Sequence, residues 1–567
     1  MSSFIPDGFR IDSAESLVDL YTNLLDRSID SVTELENWLV DASALESHVS
    51  EDLAWRYIRM TCDTKNKENE SSYLKFVQEI QPVLAPLEDQ LNKKVSGSPF
   101  TKELEKTSHP DNEAFKIYFR GVRKSIEIFR EENIEIQSEL STLAQEYSSI
   151  QGSMSIQWDG EEITLQKASN FLQDPDRSVR EKAWRSIQSR RAQDTEKLEA
   201  IFDQMVSKRH QMALNAGFQN YRDYMFAALG RYDYTSQDCK DFHKAIETHV
   251  VPLTRKVTQK RKELMKLDVL KPWDTSVDPL NRPALKPFTD GKDLLEKGIK
   301  NLTQLNSFFA QCLTTMKEKG LLDLDSRVGK APGGYNYPLA ETNMPFIFMN
   351  ATGNLRDVET LVHEAGHAIH SFLMAPLPLN AFKNTPSEVA ELASMSMELL
   401  SMEGWQHYFD STDELNRAKL EQIEGVINTL PWIATVDAFQ HWIYENPAHS
   451  RSERMNAWNE IQERFGTGLV DYTDLEFAKN HGWHRQLHIF EVPFYYIEYG
   501  IAQLGAIGIW KNYVEKSRDK TLEDYINFMK LGYTQSIPEI YKTAGVHFDF
   551  SPQYVSSLMN FVESQWN

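Results

Sequence analysis

The residues of this chain best suited to hydrolytic chemistry lie in "HEAGH", residues 363–367. His363 and His367 stand four apart, so on a helix they share one face about one turn removed. That spacing lets two imidazoles reach one zinc ion. Glu364, one position along, projects toward the remaining coordination position and can take a proton from water held there. Leu361, Val362, Ala365, Ala368, Ile369 and Phe372 make the surrounding helix largely apolar and predict that it is buried. Buried histidines and a buried glutamate need partners. The competing reading is a polar stripe satisfied by neighbouring side chains. His370 continues the stripe, but a third ligand from the same helix fits tetrahedral geometry poorly, so it reads as a structural histidine or as one that supports a ligand from behind.

Two histidines leave a third ligand to find. The longer pattern HExxHxxGxxH fails, because its glycine would fall at His370 and its histidine at Leu373. The three cysteines, Cys62, Cys239 and Cys312, are far apart and form no CxxC pair, so neither a disulfide framework nor a thiolate zinc site is expected. Downstream, "NTPSEVAELASMSMELLSME" (384–403) reads as a helix capped by Ser387. Glu388, Glu391 and Glu398 fall at spacings of three and seven on it, hence on one face. Acids on a helix of Ala, Leu and Met make a poor solvated face, so a metal or histidine partner is expected; spacing leaves the choice among the three open. Near the carboxyl end, "HGWHRQLHIFEVPFYYIEYG" (481–500) places His484 and His488 four apart. A second metal pair is one reading, but no glutamate intervenes and the segment turns aromatic around Pro493.

The elements that must position these groups are mostly helical. Residues 1–150 contain only Gly8, Gly97 and Gly121, with apolar residues at helical periods, as in "SIEIFREENIEIQSELSTLAQEY" (125–147). "SIQWDGEEITL" (155–165) reads as a hairpin, because Asp159-Gly160 suits a type I′ turn. Residues 168–202 return to helix. "VLKPWDTSVDPLNRPALKPFTDGKD" (269–293) reads as a loop and 329–345 as a second break, after which "FIFMN" (346–350) reads as a short buried strand leading into the histidine helix. The expected fold is mostly α, with a small β-sheet beside the HExxH helix. A chain of 567 residues is too long for one small core, and we divide it into an N-terminal helical region, 1–195, and a catalytic domain, 196–567.

Composition removes other classes. A net charge of -22 opposes a phosphate-binding surface, so no nucleic-acid partner is expected. The basic run "RKVTQKRKELMK" (255–266) reads as a solvated helix face. No apolar run approaches the roughly 20 residues that span a bilayer, and the amino terminus has no basic segment followed by an apolar one. No membrane partner is expected, and the chain reads as cytoplasmic.

"KAPGGYNYPLAETNMPFIFMN", "LVHEAGHAIH" and "PSEVAELASMSMEL" together resemble the oligoendopeptidase F branch of the thimet oligopeptidase family of zinc metallopeptidases. The likeness is strong over residues 330–500. It implies one Zn²⁺ per chain on His363, His367 and Glu391, with Glu364 as general base. It also implies two helical lobes flanking a deep substrate channel, and short oligopeptides as substrates. Glu398 then falls where an acid could orient a ligand, although four residues past Glu391, where thermolysin-like peptidases carry an aspartate, this chain has Met395. His488 with Tyr495, Tyr496 and Tyr499 resembles the family's set that binds the scissile carbonyl, with His488 and Tyr499 preferred. "FIFMN" would lend backbone groups to an extended substrate. Asp357 and Glu359 read either as partners of the ligands or as helix-start charges. Rival readings are a carboxypeptidase or dipeptidyl carboxypeptidase, with Arg485 holding the terminal carboxylate, and a catalytically dead helical peptide-binding protein.

Overall fold

Helices Ala14–Asp26, Val32–Cys62, Gln81–Gly97 and Asn112–Ile128 pack around Leu17, Leu35, Trp38, Ile80, Leu84 and Phe119 to form one core. The computed structural model describes residues 4–327, 329–331 and 333–566, so Pro332 of the 329–345 segment and Met1–Ser3 of the amino terminus lie outside the described residues. A second, larger core runs from Ala54 and Ile58 through Leu140 and Leu198 to Trp566. The Val32–Cys62 helix serves both: Leu35, Trp38 and Leu45 face the first core, Ala54 and Ile58 the second. The chain is thus mostly α in two helical parts, with a small sheet beside the HExxH helix.

The 125–147 stretch is not one helix. Asn112–Ile128 ends at Phe129, and a new helix, Glu132–Gly152, begins three residues later and buries Leu140, Leu143 and Tyr147. The Asp-Gly hairpin is present. β1 (Ser155–Trp158) pairs antiparallel with β2 (Glu161–Thr164), and Asp159 and Gly160 both take positive φ, 50° and 91°, as a type I′ turn requires. The basic run lies on the Val251–Leu264 helix with Arg255, Lys256 and Lys260 exposed.

The second sheet sits under the site. β3 (Leu322–Asp325) pairs parallel with β5 (Met344–Ala351), and β4 (Tyr335–Leu339) pairs antiparallel with β5, giving the order β3-β5-β4. Two sequence expectations change here. The segment 329–345, read as a break, contains β4. And β5 is a central strand with both edges paired, so "FIFMN" has no free edge to offer a substrate; β4, which carries Pro338, is the edge. Phe346, Ile347, Phe348 and Met349 are consecutively buried, the pattern of a strand covered on both faces.

From β5 the chain turns straight into the histidine helix, Leu355–Met374. Asn354 caps it, and the Asp357 carboxylate accepts from the backbone N–H groups of Thr352, Gly353 and Asn354. Asp357 is therefore a helix-start charge. The glutamate helix, Ser387–Ser401, crosses it closely: a Cβ at Gly366 would lie 2.6 Å from Ser394 Cα and 2.9 Å from Ala393 O. Ser387 is the first residue of that helix, after Pro386, and makes no side-chain cap. The tyrosine helix, Tyr496–Glu515, packs on the glutamate helix in turn, and the long helix Thr412–Glu445 packs against the tyrosine helix.

Candidate metal centre and active site

The two helices bring His363, His367 and Glu391 together, with their ligand atoms all within 4.8 Å of one another. Glu391 Oε2 lies 3.3 Å from His363 Nε2 and 3.5 Å from His367 Nε2. The imidazole rings stand 4.9 Å apart, nearly perpendicular. Of the three acids on the glutamate helix, Glu391 meets both histidines. Glu388 points elsewhere, into a buried cluster with the Tyr234 hydroxyl, Arg231 and Glu498. Glu398 accepts from His363 Nδ1–H at 2.7 Å and from Gln422 Nε2 at 3.1 Å, which leaves His363 Nε2 facing Glu391. Glu391 is itself held: Oε1 accepts from the Tyr495 hydroxyl (3.0 Å) and Oε2 from Ser394 Oγ (2.9 Å).

Charge in this cluster is arranged for a cation. Burial would push the His363 imidazolium down, yet the carboxylates of Glu391 and Glu398 outweigh it and hold the ring well above its ordinary value. Burial would raise Glu391, but His367 and His363 hold it well below the usual carboxylate range. Two nitrogens and one carboxylate oxygen converging on a positive centre is a donor set that fits zinc. The histidines are enclosed by protein, yet 20% and 19% of their side-chain surface stays accessible, as at the bottom of a cleft. Glu364 is 6% exposed, and burial raises its carboxyl despite the two histidines beside it.

Across from the histidines, Phe494 sits at φ +67°, its N–H donating to Gln440 Oε1 at 2.7 Å, and this strained turn launches the tyrosine helix. The rings of Tyr495, Tyr496 and Tyr499 surround His488, with centroids 6.0, 4.7 and 5.8 Å away. Trp432 Nε1, which can only donate, bonds Gln486 Oε1 at 3.0 Å, so the Gln486 amide nitrogen faces His488 Nδ1 at 2.8 Å. Nδ1 is then the acceptor, and the ring proton sits on Nε2. Burial pushes His488 down to about 4, so the ring is neutral near pH 7 and offers that N–H. Tyr499 makes no hydrogen bond among the described residues, and burial, followed by the Glu391 charge, raises its phenol well above its ordinary value.

Other sequence candidates are placed apart. His484 is buried against Glu199 Oε1 at 3.0 Å on a separate short turn, so it forms no metal pair with His488. His370 is 2% exposed in the core beside Phe528, a structural position. Glu359 pairs with Arg356 at 2.9 Å, and burial raises its carboxyl to about 7 with the Glu398 charge adding to it. Arg485 stacks over Trp432 at 5.3 Å. Sequence reasoning missed Gly366 and Gln486. The glycine inside HEAGH was the available signal for the first; nothing in the sequence marked the second.

Known protein families and solved structures share the sequence and fold of this chain. Residues 170–560 match the model of peptidase family M3, and residues 10–129 match the peptidase M3 N-terminal domain. Oligopeptidase PepF of Bacillus subtilis is 26% identical over 72% of this chain and 60% of its own length. The oligoendopeptidase F homolog of Borreliella burgdorferi is 25% identical over 64% of this chain and 60% of its own. The chain thus matches about three-fifths of the length of these curated relatives. A solved structure of PZ peptidase A with an inhibitor superposes with a TM-score of 0.92 at 27% identity, covering 100% of this chain and 99% of that one. With the family model spanning well over half its length, the chain belongs to peptidase family M3, on the oligoendopeptidase F side that its motifs resemble.

Proposed function

We propose that this protein is a zinc metalloendopeptidase that hydrolyses internal bonds of short, unstructured oligopeptides in the cytoplasm. The observation that carries the reading is the convergence of His363, His367 and Glu391 within 4.8 Å on two helices, with Glu364 on the same histidine helix. His363, His367 and Glu391 would hold one zinc, whose Lewis acidity would polarise the scissile carbonyl and acidify a water. Glu364 would take the proton from the attacking water and later deliver it to the leaving amine; its raised carboxyl suits both transfers. Glu398 fixes the His363 ring, and Tyr495 fixes the Glu391 carboxylate. The Nε2–H of neutral His488 and the Tyr499 hydroxyl donate to the oxygen that gains charge, each worth about 2–4 kcal/mol in the transition state. Tyr496, beside Trp432 and Gln486, holds the His488 ring in place.

The substrate backbone pairs along the free edge of β4, next to Glu364: Asn336 of β4 donates to the Glu364 carbonyl at 3.2 Å. Residues 1–195 form the opposite wall and 196–567 carry the chemistry. Tyr57 on the Val32–Cys62 helix meets Tyr335 and Tyr337 of β4 at 5.4 and 5.8 Å. Enclosure of this kind admits an extended strand and excludes a folded domain. Free, non-disulfide cysteines suit a reducing compartment. The test of substrate class is a ladder of peptides beside a folded protein and its denatured form. Short peptides and the denatured chain should be cut, and cleavage of the folded protein at matching rates would defeat the reading. An exopeptidase is the second reading, favoured by one observation: Arg485 stands one residue before Gln486, the partner of His488, where it could meet a substrate carboxylate.

A further inference from the structure

A second cluster of metal-ligating side chains lies away from the helices that carry HEAGH. Cys239 and His243 are four apart on the helix Ser236–Ala245, and Asp437 and His441 are four apart on the long helix Thr412–Glu445. Each pair shares a face of its helix, and the two faces meet. Cys239 Sγ, an Asp437 carboxylate oxygen and a His441 ring nitrogen lie within 4.8 Å of one another. All are core residues: Cys239 is 1%, Asp437 0%, His441 3% and His243 3% exposed.

Hydrogen bonding within the protein leaves this cluster unsatisfied. His243 Nε2 bonds Asp437 Oδ2 at 2.7 Å, which fixes one carboxylate oxygen. Asp437 Oδ1, His441 Nδ1 and His441 Nε2 have no hydrogen-bond partner. His441 Nε2 comes within 3.3 Å of Asp437 Oδ2 without bonding geometry, and its ring is otherwise walled by Phe226 and Phe494. A buried imidazole with both nitrogens unpaired and a free carboxylate oxygen each carry a desolvation cost of about 1–3 kcal/mol, and a thiol lies beside them. One cation would take up the free carboxylate oxygen, the thiol sulfur and one of the two imidazole nitrogens.

We propose that Cys239, Asp437 and His441 bind a second zinc ion, a structural one, with His243 orienting Asp437 from behind. The mixed sulfur, nitrogen and oxygen set suits zinc, and Asp437 can offer its second oxygen to complete four coordination. Thiolate and carboxylate together bring two negative charges, which one Zn²⁺ neutralises in an interior with no room for net charge. The binding step balances: the Cys239 proton leaves to solvent as the sulfur–zinc bond forms, one proton per ion. His243 behind the Asp437 carboxylate mirrors Glu398 behind His363. The ion would tie the Ser236–Ala245 helix to the long helix one residue from Gln440, which holds the Phe494 turn ahead of the tyrosines. Paired cysteines were the wrong signal to seek in the sequence; Cys-x-x-x-His and Asp-x-x-x-His on separate helices make this site.

Metal content and cobalt spectroscopy of the full-length chain test it. Zinc analysis after dialysis should give about two ions per chain, and about one in Glu391→Ala and in Cys239→Ser. Co²⁺-exchanged protein should show a thiolate-to-cobalt charge-transfer band, which the thiolate-free His363–His367–Glu391 set cannot produce. Cys239→Ser should abolish the band. Cys62→Ser/Cys312→Ser, which leaves Cys239 as the sole thiol, should keep it, and this variant carries the test if Cys239→Ser does not fold. A wild-type ratio of one zinc with no thiolate–cobalt band overturns the proposal, as does a band that survives Cys239→Ser. Loss of peptidase activity alone bears on the HEAGH site and leaves these readouts independent.

Discussion

Replacing Gly366 by alanine should injure the active site without touching a reacting group. The added Cβ would stand 2.6 Å from Ser394 Cα, 2.9 Å from Ala393 O and 3.1 Å from Ser394 N. Ordinary carbon contacts lie at about 3.5–4.0 Å, so the histidine and glutamate helices must part by about 1 Å. The obstructing atoms are backbone and cannot rotate away. Overpacking of this kind costs about 1–3 kcal/mol, and alanine's better helix propensity returns about 1 kcal/mol, for a net loss of about 0–2 kcal/mol. The catalytic effect should be larger. Ser394 lies one turn past Glu391, so the same displacement withdraws the carboxylate now 3.3 and 3.5 Å from the two histidines. A misplacement of about 1 Å is expected to cost roughly 10²-fold in rate. Gly425→Ala is the matched control: Gly425 is an exposed glycine of the long helix with nothing within 4 Å of a new Cβ, and it should gain up to about 1 kcal/mol. Thermal midpoints, bound zinc and kcat/KM of the two variants decide the matter. A Gly366→Ala enzyme with wild-type kcat/KM and a midpoint matching Gly425→Ala would refute the close-approach argument.

Three further outcomes follow from named contacts. Glu364→Gln should keep metal and peptide affinity while kcat falls at least ~10²-fold, read by zinc analysis, peptide binding and single-turnover rates. Tyr499→Phe should lower kcat with KM little changed, whereas Tyr495→Phe, which releases Glu391 Oε1, should weaken metal retention; the reverse pattern would exchange their roles. For Glu199, burial raises the carboxyl, but the His484 hydrogen bond and the Arg454 charge overcome it and hold the pKa at about 2 against an ordinary 4.5. A depressed carboxylate stabilises fully above its unfolded value and loses that contribution as pH falls through 4.5 toward about 2, here about 3 kcal/mol. Glu199→Gln should therefore be less stable than wild type at pH 7, with the gap closing as pH falls from 4.5 toward about 2 in acid-unfolding curves.

Much of the site was legible because its chemistry is local. The i, i+4 spacing of His363 and His367 needs only one helix, and Asp159-Gly160 names its own turn. The choice of Glu391 over Glu388 was not legible from spacing. The three acids share a helix, but Arg231 and Tyr234, more than 150 residues upstream, capture Glu388. Strand order was equally hidden: "FIFMN" announces burial, but its central place depends on partners at 322–325 and 335–339, one of them inside a stretch rich in Gly and Pro. The tautomer of His488 rests on Trp432 and Gln486, a contact across 54 residues that no local pattern encodes. His484, also four residues from His488, failed as a second ligand because a turn at Gln486 breaks the helical register between them.

The central claim, metal-dependent cleavage of internal peptide bonds, is tested most directly with an internally quenched oligopeptide blocked at both ends, assayed with chelator and then with zinc restored. The account predicts rapid cleavage at an internal bond, loss of activity on chelation, and recovery with about one zinc per chain bound at the His363–His367–Glu391 centre. Undiminished cleavage in the chelated enzyme, or cleavage only of peptides with a free terminus, would contradict it.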